Sequence, residues 1–347
     1  MDFDIATILA IDGIASGAIY VLIGLGFVLI FTVTRVIFVP FGDIAAFTAL
    51  TLASLETKHL PGTVGLVAAL ALMASATDVL AKFRAGAISA IPRSLLYYLL
   101  LPLIPAAIVW LSAGEQMPMF LRITLSIALI LPIAPLLDRI VFRPIADASV
   151  LLLLTVALAL HFALVGLGLL FFGAEGVRTQ PLADVSFDIA GTTVTMQTIF
   201  VVLAAFLFSG LLYAFFGFTI SGKALRATAV NRTGARLVGI RPASAGTVAY
   251  LLASALAGIS GVLISPVTTI FYDSGFLISL KAFVGAIIGA MVSYPVTAAG
   301  ALFVGLLESF ASFWNSAYKE VIVFSILLPV LLWRSLHVGE DEEEAEA

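Results

Sequence analysis

The sequence predicts an all-α polytopic membrane protein of about ten to eleven transmembrane or re-entrant helices. Three observations carry that expectation. Of 347 residues, 62% are hydrophobic and only 11% are charged, where a soluble domain holds roughly 25% charged residues. The apolar residues gather into runs close to the ~20 residues a helix needs to cross hydrocarbon. The basic residues fall almost entirely on alternate connections between those runs, as orientation in a membrane requires.

The runs lie at 6–33, 43–56, 62–80, 94–113, 119–137, 149–173, 195–220, 243–265, 276–291, 296–314 and 319–334. Two of them, 43–56 and 276–291, are short. Interrupted segments of that kind often form half-helices that line a cavity. The chain starts Met1-Asp2-Phe3-Asp4, acidic where a secretory signal carries Lys or Arg, so the first run is expected to be retained.

With eleven crossings and an outside N-terminus, twelve basic residues face inside. They are Arg35, Lys82, Arg84, Arg93, Arg139, Arg143, Lys223, Arg226, Arg232, Arg236, Arg241 and Arg334. Four, Lys58, Arg122, Arg178 and Lys319, face outside. The bias places the C-terminus in the cytoplasm. Residues 337–347 read as a disordered acidic tail, and without the six acids after Gly339 the formal net charge of −4 becomes +2. Residues 1–336 read as one membrane domain.

Several kinds of chemistry are excluded or unsupported. Without cysteine there is no disulfide framework and no thiolate metal site. His59, His161 and His337 are scattered and make no ligand cluster, so no metal site is expected. His161 sits in the apolar run Leu151–Phe172 and reads as a helix–helix hydrogen-bonding residue. Gly217-Phe218-Thr219-Ile220-Ser221-Gly222-Lys223-Ala224 approaches a phosphate-binding loop. It lacks the Ser or Thr after Lys that holds magnesium, and it follows a membrane helix instead of a strand. No carboxylate dyad or nucleophile–histidine pair appears. The chain therefore reads as a non-enzyme with no catalytic residue and no cofactor of its own. Nothing in it suggests a nucleic-acid partner.

Charges inside apolar runs are costly and so are functional candidates. Asp12 and Asp78 lie near run ends and are expected to snorkel to water. Asp43 follows Pro40-Phe41-Gly42, a helix-breaking start to a short run. Gly42 and Asp43 are thus candidates to line a path. Lys281 and Glu308 are candidates for the path or for bracing, paired with each other or with backbone carbonyls. Gly13/Gly17 and Gly285/Gly289 are spaced four apart, which allows close helix packing.

The stretch 221–242 is the most polar internal segment, with five basic residues and no acid. Its first part, Ser221–Arg232, has the composition of a short helix, and Gly234, Gly239 and Pro242 end it. By pattern alone it contacts anionic membrane lipid or a protein partner.

Gly222-Lys223-Ala224-Leu225-Arg226-Ala227-Thr228-Ala229-Val230-Asn231-Arg232, with Ala235-Arg236-Leu237-Val238-Gly239-Ile240, resembles the cytoplasmic coupling loop of the branched-chain amino acid ABC permeases, H-type. Ala255–Leu263, Lys281–Gly289, Ser293-Tyr294-Pro295, Gly305–Glu308, Tyr318–Phe324 and Asp138-Arg139-Ile140-Val141-Phe142-Arg143-Pro144 extend the likeness, as does Gly17–Gly26. Two departures stand out. Phe38-Val39-Pro40-Phe41-Gly42-Asp43 replaces an Asn-Phe-Ala-His-Gly-Glu-like turn, and residues 70–115 are longer than the family requires.

The resemblance implies a type II-like importer permease fold in the bacterial inner membrane. It implies a second related permease subunit, two cytoplasmic ATPase subunits carrying ATP and Mg, and a periplasmic substrate-binding protein. Gly222, Lys223, Leu225, Arg226, Asn231, Arg232 and Gly239 would then serve ATPase coupling. A sugar permease of the same superfamily and an ion-coupled secondary transporter are the alternatives.

Overall fold

The computed structural model describes residues 3–112, 114–189, 192–326, 329–330 and 332. The acidic stretch 337–347 and Arg334 lie outside the described residues.

Among the described residues, eight helices are long and apolar enough to cross a membrane. The first is α1 (Phe3–Thr34). A short helix, α2 (Phe41–Glu56), follows a non-helical stretch. Next come α3 (Thr63–Arg84) and the composite helices α4 (Ile88–Leu111) and α5 (Met119–Ile145). Beyond them run α6 (Val150–Phe172), the hairpin β1 (Ser186–Ile189) and β2 (Thr192–Thr195), and α7 (Met196–Phe218). Two small helices follow, α8 (Ile220–Val230) and α9 (Arg232–Leu237). The chain continues through α10 (Pro242–Ile264), the short α11 (Ser274–Ile288), α12 (Tyr294–Trp314) and α13 (Lys319–Ser325). The runs expected to be short are α2 and α11. Of the run 319–334, the described helix is the seven-residue α13.

α1 is the axis of the bundle and packs against α12, α10, α11 and α7. Glycine makes the closest of these contacts. A Cβ at Gly13 would lie 2.7 Å from the Leu306 Cα, and one at Gly17 would lie 2.9 Å from the Leu302 Cα. Backbones that close gain dispersion contacts along their length, the main attraction between helices once lipid is the solvent. Gly285 meets the Ala301 backbone of α12 in the same way.

α2 is held inside the bundle despite its length, and nearly every residue from Phe41 to Leu55 is buried. It packs on α10, α11 and α5. By contrast α6 and α7 present Leu151, Phe162, Leu170, Phe206 and Leu207 outward. Outward-facing apolar side chains are what a lipid-facing helix needs.

The loop after α6 folds back over the bundle. Val177 and Ile270 exchange backbone hydrogen bonds at 2.9 Å, and Arg178 Nε donates to the Pro266 carbonyl oxygen at 2.8 Å. The Gln197 amide nitrogen donates to the Leu263 carbonyl oxygen at 2.9 Å. β1 and β2 pair antiparallel, with Phe187 opposite Val194.

Candidate functional site

The basic stretch forms two helices across one end of the bundle. α8 starts where the Thr219 hydroxyl accepts the Gly222 amide at 2.9 Å, a standard N-cap. The cap is thus two residues before the Ser221 start that the sequence suggested. A Cβ at Gly222 would overlap the Phe215 carbonyl oxygen, so only glycine lets α8 fold back onto the end of α7. Asn231 caps α9, its Oδ1 accepting the Gly234 amide at 2.8 Å. Gly239, at φ +86°, ends α9 in the left-handed conformation that glycine adopts without strain.

The expected coupling residues therefore divide. Lys223, Arg226, Asn231 and Gly239 are exposed, while Arg232 is half-buried. Gly222 and Leu225 are buried and hold α8 against the body, so they do not offer a face to a partner. The sequence reading missed the apolar part of this face. Val230 is 82% exposed and Leu237 84%, and Val238 and Ile220 are exposed beside them. A hollow of about 470 Å³ lies between the helices, lined by Lys223, Arg226, Val230, Asn231 and Val238 among others. Among the described residues, Lys223, Arg226, Arg232, Arg236 and Arg241 have no ion-pair partner.

The end of α5 is tied to this region. Arg143 Nε donates to Asp138 Oδ2 at 2.8 Å, and its Nη2 donates to the Thr247 hydroxyl and to the Ala243 carbonyl oxygen at 3.1 Å. Thr247 and Ala243 belong to the first turns of α10, just after α9. Asp78 is a correction to the sequence reading. Instead of snorkelling to water it is buried, with Arg139 at 2.5 Å, Lys82 at 2.9 Å and the Ser94 hydroxyl all on its carboxylate. That cluster anchors the long segment 70–115 to α5. Asp12 is exposed near its helix start, as expected.

Inside the bundle the helical path breaks between α1 and α2. Residues 35–40 are non-helical, and Val36, Phe38 and Pro40 are buried. The amides of Ile37 and Phe38 have no hydrogen-bond partner among the described residues. Unwound backbone at membrane depth is tolerated where protein or a watered cavity surrounds it. The stretch leads to the point where the N-terminal ends of α2 and α11 meet. The Ser279 hydroxyl of α11 donates to the Val39 carbonyl oxygen at 3.2 Å and lies 3.3 Å from the Gly42 amide, which donates to it. A Cβ on Gly275 would lie 2.6 Å from the Asp43 Cα, so the two backbones touch.

Asp43 is 1% exposed at this junction. Its Oδ2 pairs with His161 Nδ1 of α6 at 2.6 Å, while its Oδ1 has no hydrogen-bond partner among the described residues. The positive ends of two helix dipoles and an imidazole converge on this one carboxylate. His161 also stacks on Phe276 of α11 at 4.7 Å. It is the helix–helix bonding residue expected, but its partner, 118 residues away, had no local signal.

Lys281 and Glu308 lie elsewhere and pair with each other at 2.5 Å. Lys281 also meets Glu320 at 3.0 Å, and the Tyr20 hydroxyl donates to Glu308 at 2.6 Å. This cluster joins α1, α11, α12 and α13. Its acids are engaged by Lys281, and it does not reach Asp43 through any ion pair among the described residues.

The profile of the family described as branched-chain amino acid transport system / permease component matches residues 9–331. This chain belongs to that family. It is 27% identical over 204 residues to the high-affinity branched-chain amino acid transport system permease protein LivH of Salmonella typhimurium. The match covers 56% of this chain and 66% of the relative, just under two thirds of its length. LivH of Escherichia coli (strain K12) is 26% identical over the same coverage. BraD of Pseudomonas aeruginosa, a permease protein of the same description, is 26% identical over 60% of this chain and 70% of its own. No solved structure matches the chain. Family and fold agree on a multi-pass all-α membrane protein.

Proposed function

We propose that this family member is the membrane-embedded subunit of an ATP-driven importer for branched-chain or related amino acids. The single observation that carries this reading is the α8–α9 face. It is polar and apolar at once, its charges have no ion-pair partner among the described residues, and it is braced to the bundle by Gly222 and Leu225. Such a face suits a separate protein that grips it and moves it.

In this reading Lys223, Arg226, Asn231 and Arg232 make the polar contacts with an ATPase, and Val230 and Leu237 the apolar ones. Two cytoplasmic ATPase subunits hold the ATP and Mg. A second related permease closes the path, and a periplasmic binding protein delivers substrate. The N-terminus lies outside and the acidic C-terminus in the cytoplasm of a bacterial inner membrane. Residues 1–336 act as one permease domain. ATPase closure biases a two-state bundle, and substrate biases the same two states from the other side. The path runs beside the unwound 35–40 stretch and the paired N-termini of α2 and α11. Helix N-termini suit the carboxylate of a zwitterion.

Reconstitution tests the proposal. Proteoliposomes containing the permease pair, the ATPases and ATP should take up leucine delivered by the binding protein, and those without ATPases should not. Uptake driven by an ion gradient in vesicles lacking ATP and ATPases would overturn it.

A further inference from the structure

A second and larger hollow, of about 770 Å³, lies between α1, α7, α8 and α12. Its deep wall is apolar, formed by Leu25, Leu212, Phe216 and Ala298. Its rim carries Arg35 and Arg226, and no Asp or Glu lines it. Neither guanidinium has an ion-pair partner among the described residues. Arg35 instead sits over the Phe31 ring, 5.9 Å from its centroid. Leu25 lies nine residues before Thr34, the end of α1, and Arg35 follows directly, which sets the depth at roughly 14 Å.

We infer that this hollow binds an anionic phospholipid of the leaflet on the α8–α9 side, with one acyl chain in the apolar cleft and the phosphate at Arg35 and Arg226. Three features select that occupant. The cleft is long, apolar and large, which suits an acyl chain. Its charge is of one sign only, whereas a zwitterionic amino acid needs a partner for its ammonium as well. The two cations stand at the mouth and not in the depth, at the level where a headgroup meets water. The site also touches the proposed coupling helix, since Leu225, Arg226 and Ala229 of α8 form part of its lining. The lipid would fill the space between α8 and the bundle.

Native mass spectrometry of the delipidated full chain tests this, titrated with phosphatidylglycerol, phosphatidylcholine and inorganic phosphate. Two arginines at about 1 kcal/mol each predict that phosphatidylglycerol binds about thirtyfold more tightly than phosphatidylcholine. Inorganic phosphate should neither bind nor displace it. Arg35→Gln with Arg226→Gln should erase most of the preference, and Ser209→Trp, on the α7 wall of the cleft, should weaken both lipids together. Equal binding of the two lipids by the unaltered chain would overturn the proposal without reference to any variant. So would displacement by phosphate, displacement by leucine, or loss of the lipid on adding the second permease subunit.

Discussion

The Arg143 guanidinium donates a hydrogen bond to the Thr247 hydroxyl, and so joins the end of α5 to the first turns of α10. It also holds Asp138 at 2.8 Å and the Ala243 carbonyl oxygen at 3.1 Å. A planar fork with several donors makes these bonds at once, and a lysine cannot. Arg143→Lys is therefore expected to lower transport while ATPase binding persists. Couplings of this kind are worth roughly 5–150-fold. Uptake per ATP hydrolysed, in proteoliposomes, measures it. An unchanged ratio would show that this tie carries no motion.

The cluster around Lys281 predicts an asymmetry. Lys281→Met takes from Glu308 and Glu320 their shared cation and leaves Lys319, 3.9 Å from Glu308, as the base that remains. Removing one member of a buried pair costs about 3 kcal/mol or more. The triple change Lys281→Met, Glu308→Gln, Glu320→Gln removes all three charges and should recover most of that loss. Thermal unfolding in detergent distinguishes the two. If the single variant is as stable as the parent, the cluster does not brace the bundle.

For Asp43 and His161 the prediction is a coupling energy. The bond joins α2 to α6 at 2.6 Å with both side chains buried. Hydrogen bonds to charged groups contribute about 1.5–3 kcal/mol. Asp43→Asn and His161→Phe should each destabilise, and the double variant should lose less than their sum by about that amount. Additive losses would mean that the two residues act independently.

What the sequence could reveal here follows from what periodicity reports. Apolar length marked all eight long helices, and it marked α2 and α11 as short. Charge composition located the basic stretch and its first helix, α8, but α9 was not foreseen, because it runs through Gly234, where the helix was expected to end. The pairings were hidden. Nothing near Asp43 in sequence announces His161, and nothing near Asp78 announces Arg139. Inside a membrane both the buried and the lipid-facing sides of a helix are apolar, so hydrophobicity does not say which face meets which neighbour. The same limit hid the role of Gly222. Its need for glycine comes from the Phe215 carbonyl behind it, a contact made only once α8 folds back.

Gly42 makes a sharper backbone prediction. A Cβ there would overlap the Gly275 carbonyl oxygen and lie 2.6 Å from the Ser279 Cβ. Neither neighbour is the far end of a flexible side chain, so the helices themselves must separate. Gly42→Ala should abolish uptake even where the protein still inserts and purifies. A crosslink between cysteines at Val39 and Ser279, formed in the Cys-free parent, should be lost in the Gly42→Ala background. Retained crosslinking would show that the junction tolerates the methyl group.

The exposed apolar pair Val230 and Leu237 offers the cleanest separation of coupling from folding. Both side chains are more than four-fifths exposed and carry none of the buried contacts of α8 and α9. Deleting 222–232 would confuse the two effects, because Gly222, Leu225 and Thr228 are buried and hold α8 in place. Val230→Glu with Leu237→Glu should leave the unfolding temperature unchanged, since surface changes away from such contacts stay within about 0.5 kcal/mol. The same pair should lose co-purifying ATPase, because each places a carboxylate where an apolar contact is proposed. Retention of the ATPase at full stoichiometry would move its docking face away from these helices.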